Sequence, residues 1–319
     1  MKLVHSLWVG VCAFLVAINP AYSSGKKSNQ PNVVLLTLDG VRWQEVFSES
    51  KDHNEAPFKL LKLLLSKEGI LIGNKSLGSE MTVNNRFNLS LPGYQSLMAG
   101  TEVPCATNDC GRISVETMME RVRRELRLSK GEVATFATWS GIAKAVEHTQ
   151  GSTHLVGSLN HDTETFAQAL AYLEKERPRF LYISLGDADE FAHALNKKKY
   201  IDTLKMYDRW INELAGRLDA MDDYGNNTTL IVTTDHGRGS GFQWFDHGLH
   251  IPDAKYVWLY ARNSKTNQVS NTDRTVLKNR PYNHSDIRPT IENLFGLAPN
   301  RCADCGRPIE ELFSANVGN

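Results

Sequence analysis

The chain has no excess of charge of either sign: 36 lysines and arginines face 36 aspartates and glutamates over 319 residues. No long basic run occurs either, which argues against nucleic acid as the primary partner, because such binding needs a concentrated positive surface. Internal repeats are absent, so a solenoid or array is excluded. The apolar stretch from Leu7 to Ile18 is shorter than the roughly 20 residues that a bilayer span requires. Cysteine is scarce, with five in the chain, too few to frame a fold of this length by disulfides alone.

What is present begins with an export signal. A positive start at Lys2, the apolar run and the small residues Ala21 and Ser23 predict a cleaved signal peptide over residues 1–23 and a secreted or periplasmic mature chain without a membrane span. Residues 24–319 are long enough for a single large α/β domain. Four cysteines lie in that part, Cys105, Cys110, Cys302 and Cys305. Export favours the two local disulfides, 105 with 110 and 302 with 305, and a zinc site built from all four thiolates is the alternative.

Three apolar runs share one design. Asn32 to Leu38 ends at Asp39-Gly40, Arg179 to Leu185 runs into Gly186-Asp187-Ala188-Asp189, and Leu230 to Thr234 stops at Asp235-His236-Gly237. Each reads as a buried strand that delivers an acid or imidazole at its carboxyl end. Further strands are expected at residues 132–139 and 256–260, and helices at residues 57–68, 115–128, 141–147, 162–176, 197–221 and around Ile287, Ile291 and Leu294. Alternating strands and helices predict an α/β fold with a mostly parallel central sheet flanked by helices, whose ligand site lies beyond the strands' carboxyl ends.

Ser90 stands before Leu91-Pro92-Gly93-Tyr94 at the start of a short apolar helix. A hydroxyl there is either an ordinary helix cap or a nucleophile favoured by the helix dipole and free N–H groups. With Asp39, Asp189, His193, Asp235, His236 and His247, it supplies enough oxygen and nitrogen donors for two divalent ions.

The order of these motifs, Leu-Asp-Gly, Ser-Leu-Pro-Gly-Tyr, Asp189 with His193, Thr-Asp-His-Gly and His247-Gly248, resembles the alkaline phosphatase superfamily, with its closest likeness to the type I phosphodiesterase and nucleotide pyrophosphatase branch and sulfatase-like relatives. The resemblance implies an alkaline-phosphatase-like three-layer sandwich over residues 24–319. It implies two divalent ions, zinc in the family pattern, one held by Asp39, Asp235 and His236 beside the Ser90 oxygen and the other by Asp189, His193 and His247. His247 is preferred to His250 because it stands in the His-Gly context. The implied activity is hydrolysis of a small-molecule phosphate monoester or diester through a phosphoseryl intermediate, with sulfate or phosphonate esters as alternative substrates and a non-catalytic binding protein of the same fold as the alternative class.

Two features depart from the family pattern. The diesterase branch usually has threonine where Ser90 stands, and the sulfatase signature requires arginine where Tyr94 stands. Arg42 and Arg238 are near enough in sequence to clamp a phosphate oxygen, or to form salt bridges. Trp43, Tyr94, Phe191, Trp244, Phe245 and the segment 71–88 are candidate pocket walls. Asn88-Leu89-Ser90 also matches a glycosylation sequon.

Overall fold

The structure is a computed structural model that describes residues 30–47, 56–263 and 280–313. The expected signal peptide, residues 1–23, lies outside the described residues.

The chain opens with β1 (Asn32–Leu38), followed by the short α1 (Trp43–Phe47), α2 (Lys59–Lys67), β2 (Ile70–Ile72) and β3 (Met81–Thr82). Next come α3 (Ser90–Ala99), α4 (Met118–Glu125), β4 (Val133–Ala137), α5 (Ile142–Val146), β5 (His154–Val156), α6 (Asp162–Glu176) and β6 (Phe180–Leu185). The remaining elements are α7 (Asp187–His193), α8 (Lys197–Asp219), α9 (Asp222–Asn226), β7 (Thr228–Thr233), β8 (Leu259–Arg262), β9 (Tyr282–Asn283) and α10 (Ile287–Leu294).

Seven strands form the main sheet in the order β2-β8-β7-β1-β6-β4-β5, and β3 pairs with β9 in a separate ribbon. From β7 through β5 the neighbours run parallel, while β8 is antiparallel to both β7 and β2. Helices cover both faces, as a parallel sheet requires, and its strands therefore read as continuous apolar runs. Along β1 the pleat sends Val33 and Leu35 into one core with Leu97 and Met98 of α3, Val122 of α4 and Ile291 of α10. Val34, Leu36 and Leu38 enter the opposite core with Leu61 of α2, Phe166 of α6 and Leu204 and Ile211 of α8. This is the three-layer alkaline-phosphatase-like sandwich expected from the sequence. No helix among the described residues is long and apolar enough to cross a membrane.

Three boundaries differ from expectation. The last main-sheet strand covers 259–262 rather than 256–260, because Val257 N donates to Met81 O and Tyr256 bridges Thr82, so this stretch first pairs with the ribbon. The helix read over 115–128 is confined to Met118–Glu125, where Thr117 and Glu120 close a capping box. Residues 187–193, to which the sequence reading assigned no element after the strand ending at Leu185, form the helix α7.

Disulfides join Cys105 to Cys110 and Cys302 to Cys305, the two local pairs. Each closes a short loop, and short loops restrict the unfolded chain least.

Candidate metal centre

Because β7, β1 and β6 are adjacent and parallel, their carboxyl ends meet at one edge of the sheet, and each delivers side chains there. Asp39 follows β1 directly, and its N–H donates to Leu185 O at 2.9 Å, so it still belongs to the ladder. Asp235 and His236 follow β7. The backbone of Gly40 donates to Asp235 Oδ1 at 3.1 Å and that of Val41 to Thr234 Oγ1 at 3.2 Å, which ties the first two junctions together. Asp189 and His193 stand four residues apart on α7, hence on one helix face.

Ser90 is the first residue of α3, and the preceding Leu89 makes no side-chain cap. The hydroxyl is therefore free of the capping role and points into the site. Its Oγ donates to Asp39 Oδ1 at 3.4 Å and lies 3.3 Å from His236 Nε2. Close approach at this corner depends on Gly93, since a Cβ there would meet Asp235 O at 2.7 Å.

The seven residues singled out from the sequence are all brought to this edge. Asp39, Asp235 and His236 present ligand atoms within 4.8 Å of one another. His236 Nε2 is 3.6 Å from Asp39 Oδ1 and 3.4 Å from Asp235 Oδ2. Asp189, His236 and His247 form a second such group. The rings of His236 and His247 stack with centroids 3.9 Å apart, so the two groups are fused through His236. His193, more exposed, joins from the rim, with Nε2 at 3.1 Å from Asp189 Oδ2 and 2.9 Å from His247 Nε2. His250 instead faces Asp246 at 2.9 Å on the surface.

The chemistry of the donors fits divalent ions. His236 Nδ1 donates to Gly237 O at 2.9 Å and His247 Nδ1 donates to Asn88 O at 2.8 Å. A carbonyl only accepts, so both Nδ1 atoms carry the hydrogen and both Nε2 atoms turn bare lone pairs toward carboxylates. Asp235 Oδ2 is buried without a hydrogen-bond partner. Burial first, and then the neighbouring Asp235, push the Asp39 carboxyl well above the usual carboxylate range. Burial and the adjacent His236 hold His247 far below the usual imidazole range, hence neutral. Lone pairs and carboxylates that face one another in a dry site repel unless cations lie between them.

The two arginines considered from the sequence are both engaged by protein partners, Arg238 within the centre itself. Arg42 pairs with Glu45 and donates to Gly239 O at 2.8 Å. Arg238 is fully buried, pairs with Asp189 Oδ1 and donates from Nε to Gly40 O at 3.0 Å. Burial lowers its pKa to about 10, which leaves it charged at neutral pH.

A cleft of about 670 Å³ opens beside Ser90 and Asp39 and runs along α7. Of the aromatic residues proposed as its walls, only Phe191 lines it. Trp244 packs against Tyr200, and Tyr94 is buried in the core with its hydroxyl on Asp39 Oδ2. The segment 71–88 does not line it either. Sequence reading missed Trp139 and Asn108, which do. Asn108 sits in the Cys105–Cys110 loop and accepts from Leu91 N at 2.9 Å, beside Ser90. Its place between two cysteines, with Gly111 following, is the sequence hint of it. Asn88, the sequon residue before Ser90, is buried, which leaves no room for a glycan in the folded chain.

A mostly parallel three-layer sandwich that gathers two clusters able to hold divalent ions around a serine at the strands' carboxyl ends supports a metal-dependent hydrolase of the alkaline phosphatase superfamily. Within it, the chain belongs to the type I phosphodiesterase / nucleotide pyrophosphatase family, whose model matches residues 93–288. That segment contains Asp189, His193, Asp235, His236 and His247 and begins just after Ser90. No curated protein matches the chain. Among solved structures, a 2-O glycosaminoglycan sulfatase (BT1596) is similar with a TM-score of 0.63 at 13% identity, over 88% of this chain and 73% of that one. Murine ectonucleotide pyrophosphatase / phosphodiesterase 5, in an inactive form with AMP, gives 0.61 at 13% identity over 86% and 97%. The phosphonate monoester hydrolase of Agrobacterium radiobacter gives 0.63 at 13% identity over 89% and 77%. At these identities the likeness is one of fold.

Proposed function

We propose that the protein is an exported hydrolase of phosphoric diesters that uses Ser90 as its nucleophile. The observation that carries the reading is the Ser90 hydroxyl, released from capping, held between Asp39 and His236 and open to the cleft. Asp39, Asp235 and His236 would hold one divalent ion and Asp189, His193 and His247 the second, zinc by the nitrogen and oxygen donors present. Such ions supply a lowered hydroxyl pKa at the nucleophile and neutralisation of charge on the phosphoryl oxygens.

The chain's own residues set the rest of the reaction. Ser90 Oγ bonds to phosphorus as the bond to the leaving alcohol breaks in line, giving a phosphoseryl diester, and water then releases the second product. The Ser90 proton has an acceptor in Asp39 Oδ1. Asn108 fixes the start of α3 by taking the Leu91 N–H, so Ser90 is presented in one orientation. His247 is locked by Asn88 O in the tautomer that offers Nε2.

Diesters are favoured over monoesters by charge. A monoester dianion needs a cationic side chain for its additional oxygen charge, and no lysine or arginine is among the described residues lining the cleft. A diester monoanion needs less, and the open cleft has room for its second substituent. Sulfatase chemistry by residue oxidation is disfavoured, because Tyr94 occupies the place of the required arginine and its hydroxyl is spent on Asp39. Two disulfides agree with an extracytoplasmic, oxidising location.

The test is parallel kinetics on p-nitrophenyl phosphate, its alkyl diester and p-nitrophenyl sulfate, each with zinc, manganese and calcium. Faster turnover of the diester supports the reading; turnover confined to the sulfate overturns it.

A further inference from the structure

The two disulfides sit in opposite surroundings. Cys105 is 2% exposed and belongs to the apolar core, and Cys110 packs against that core while Ala106 N donates to its sulfur at 3.2 Å. Cys302 is exposed, as are Arg301, Ala303 and Asp304 around it, and Cys305 is half-buried. The second pair therefore forms a Cys-x-x-Cys turn that is open to solvent. Among the described residues, one backbone hydrogen bond closes that turn besides the disulfide, from Cys305 N to Cys302 O at 3.4 Å.

A bond that closes so short a loop restricts the unfolded chain little, so its contribution to stability is small. Its exposure, with Arg301 beside Cys302 to favour a thiolate, is what thiol–disulfide exchange requires. The turn also leads straight into a tight contact. Gly306 N donates to Gly100 O at 3.1 Å, at the carboxyl end of α3, and a Cβ on Gly306 would collide with Ser285 O. Gly306 is thus wedged between the helix that begins at Ser90 and the residues that lead into α10. The direction in which the turn delivers the chain sets that wedge.

We propose that the Cys302–Cys305 disulfide is an exchange site for dithiols, and that its reduction loosens the contact of Gly306 with the end of α3. A thiolate of the incoming dithiol attacks Cys302 Sγ, the more exposed sulfur; the S–S bond breaks, and Cys305 leaves as a thiolate that takes up a proton. The second thiolate of the dithiol then attacks its partner sulfur in the mixed disulfide and releases Cys302 as a thiolate, which is protonated in turn. The protein disulfide gains two electrons and two protons, and the dithiol becomes a disulfide. The Cys105–Cys110 pair, shielded by the core, stays oxidised. Nothing in this proposal depends on the hydrolase reading.

The experiment treats the folded, full-length protein with dithiothreitol in the absence of denaturant, traps free thiols with iodoacetamide over time, and maps them by peptide mass spectrometry. The expected result is joint alkylation of Cys302 and Cys305 at a rate at least roughly ten-fold above that of Cys105 and Cys110. Hydrogen exchange then reads the coupling. In the selectively reduced protein and in the double variant Cys302→Ser, Cys305→Ser, the Gly306 amide should exchange about ten-fold faster, with the amides of α6 unchanged. Resistance of the Cys302–Cys305 pair in the folded protein, or reduction of both pairs at one rate, overturns the exchange site. An unchanged Gly306 amide, or an increase shared equally by α6, overturns the coupling to α3.

Discussion

The phenolic hydroxyl of Tyr94, on the second turn of α3, donates to Asp39 Oδ2 at 3.1 Å at the end of β1. The bond joins the element that carries the proposed nucleophile to the strand that carries a proposed metal ligand, and both partners are buried. Tyr94→Phe keeps the ring and removes only that donor. It is expected to cost about 1–3 kcal/mol of stability, measured by urea unfolding, and to weaken metal binding roughly ten-fold, measured by competition with a chelating indicator.

Gly40 lies in the left-handed region with φ +62°, and a Cβ there would meet Asp189 Oδ1 at 2.5 Å and Arg238 Nη2 at 2.7 Å. Gly40→Ala thus carries two faults, backbone strain and a clash with the Arg238–Asp189 pair. The expected outcome is a loss of about 1–3 kcal/mol together with weakened binding of the second ion. Metal content by elemental analysis of the purified variant checks it.

How much of this was legible in the sequence depends on the range of the contact. The strand ends at Asp39, Asp189 and Asp235-His236 could be read because an apolar run that stops at an acid is a local signal, and the parallel sheet then forces those ends together. Ser90 could be read because Pro92 and Gly93 announce the start of α3. Arg238 could be noticed but not placed, since its partners Gly40 and Asp189 are 198 and 49 residues away. Trp139 and Asn108 gave no pattern of their own; they reach the cleft beside Ser90 through contacts with α3, Trp139 against the Tyr94 ring and Asn108 through the Leu91 N–H. The start of β8 was misplaced for the same reason, because pairing with β3 is a tertiary choice that propensity does not encode.

The Cys105–Cys110 loop holds Asn108 against the start of α3. Replacing both cysteines by serine should leave global stability within about 1–2 kcal/mol, because the loop closed is short. The same variant should lower kcat more than it raises KM, since the change loosens the nucleophile's helix rather than the substrate's far end. Michaelis kinetics under oxidising conditions separate the two effects.

Asp162 provides the pH prediction. Its carboxylate is buried under the β6-α7 turn, where it accepts from Gly186 N and Asp187 N at 2.8 Å each, from Thr138 Oγ1 at 2.6 Å and from Tyr207. Burial, and then the charge of Asp187, raise its pKa to about 6. The folded state therefore holds a proton that the unfolded chain, with an ordinary Asp, releases near pH 4. Its stabilising contribution is complete below about pH 4 and is lost as pH rises through about 6, with a slope of at most about 1.4 kcal/mol per pH unit. Asp162→Asn should remove that slope from the unfolding free energy measured between pH 4 and pH 7, even if the variant is less stable throughout.

The central claim is that Ser90 attacks phosphorus beside two metal-binding clusters. Its most direct test is mass spectrometry of the zinc-loaded enzyme, acid-quenched during turnover of a p-nitrophenyl alkyl phosphodiester. The account predicts an alkylphosphoryl adduct on the peptide that contains Ser90, and in Ser90→Ala no adduct, no turnover and unchanged metal content. Undiminished turnover by Ser90→Ala, with no adduct on the wild-type peptide, would contradict it.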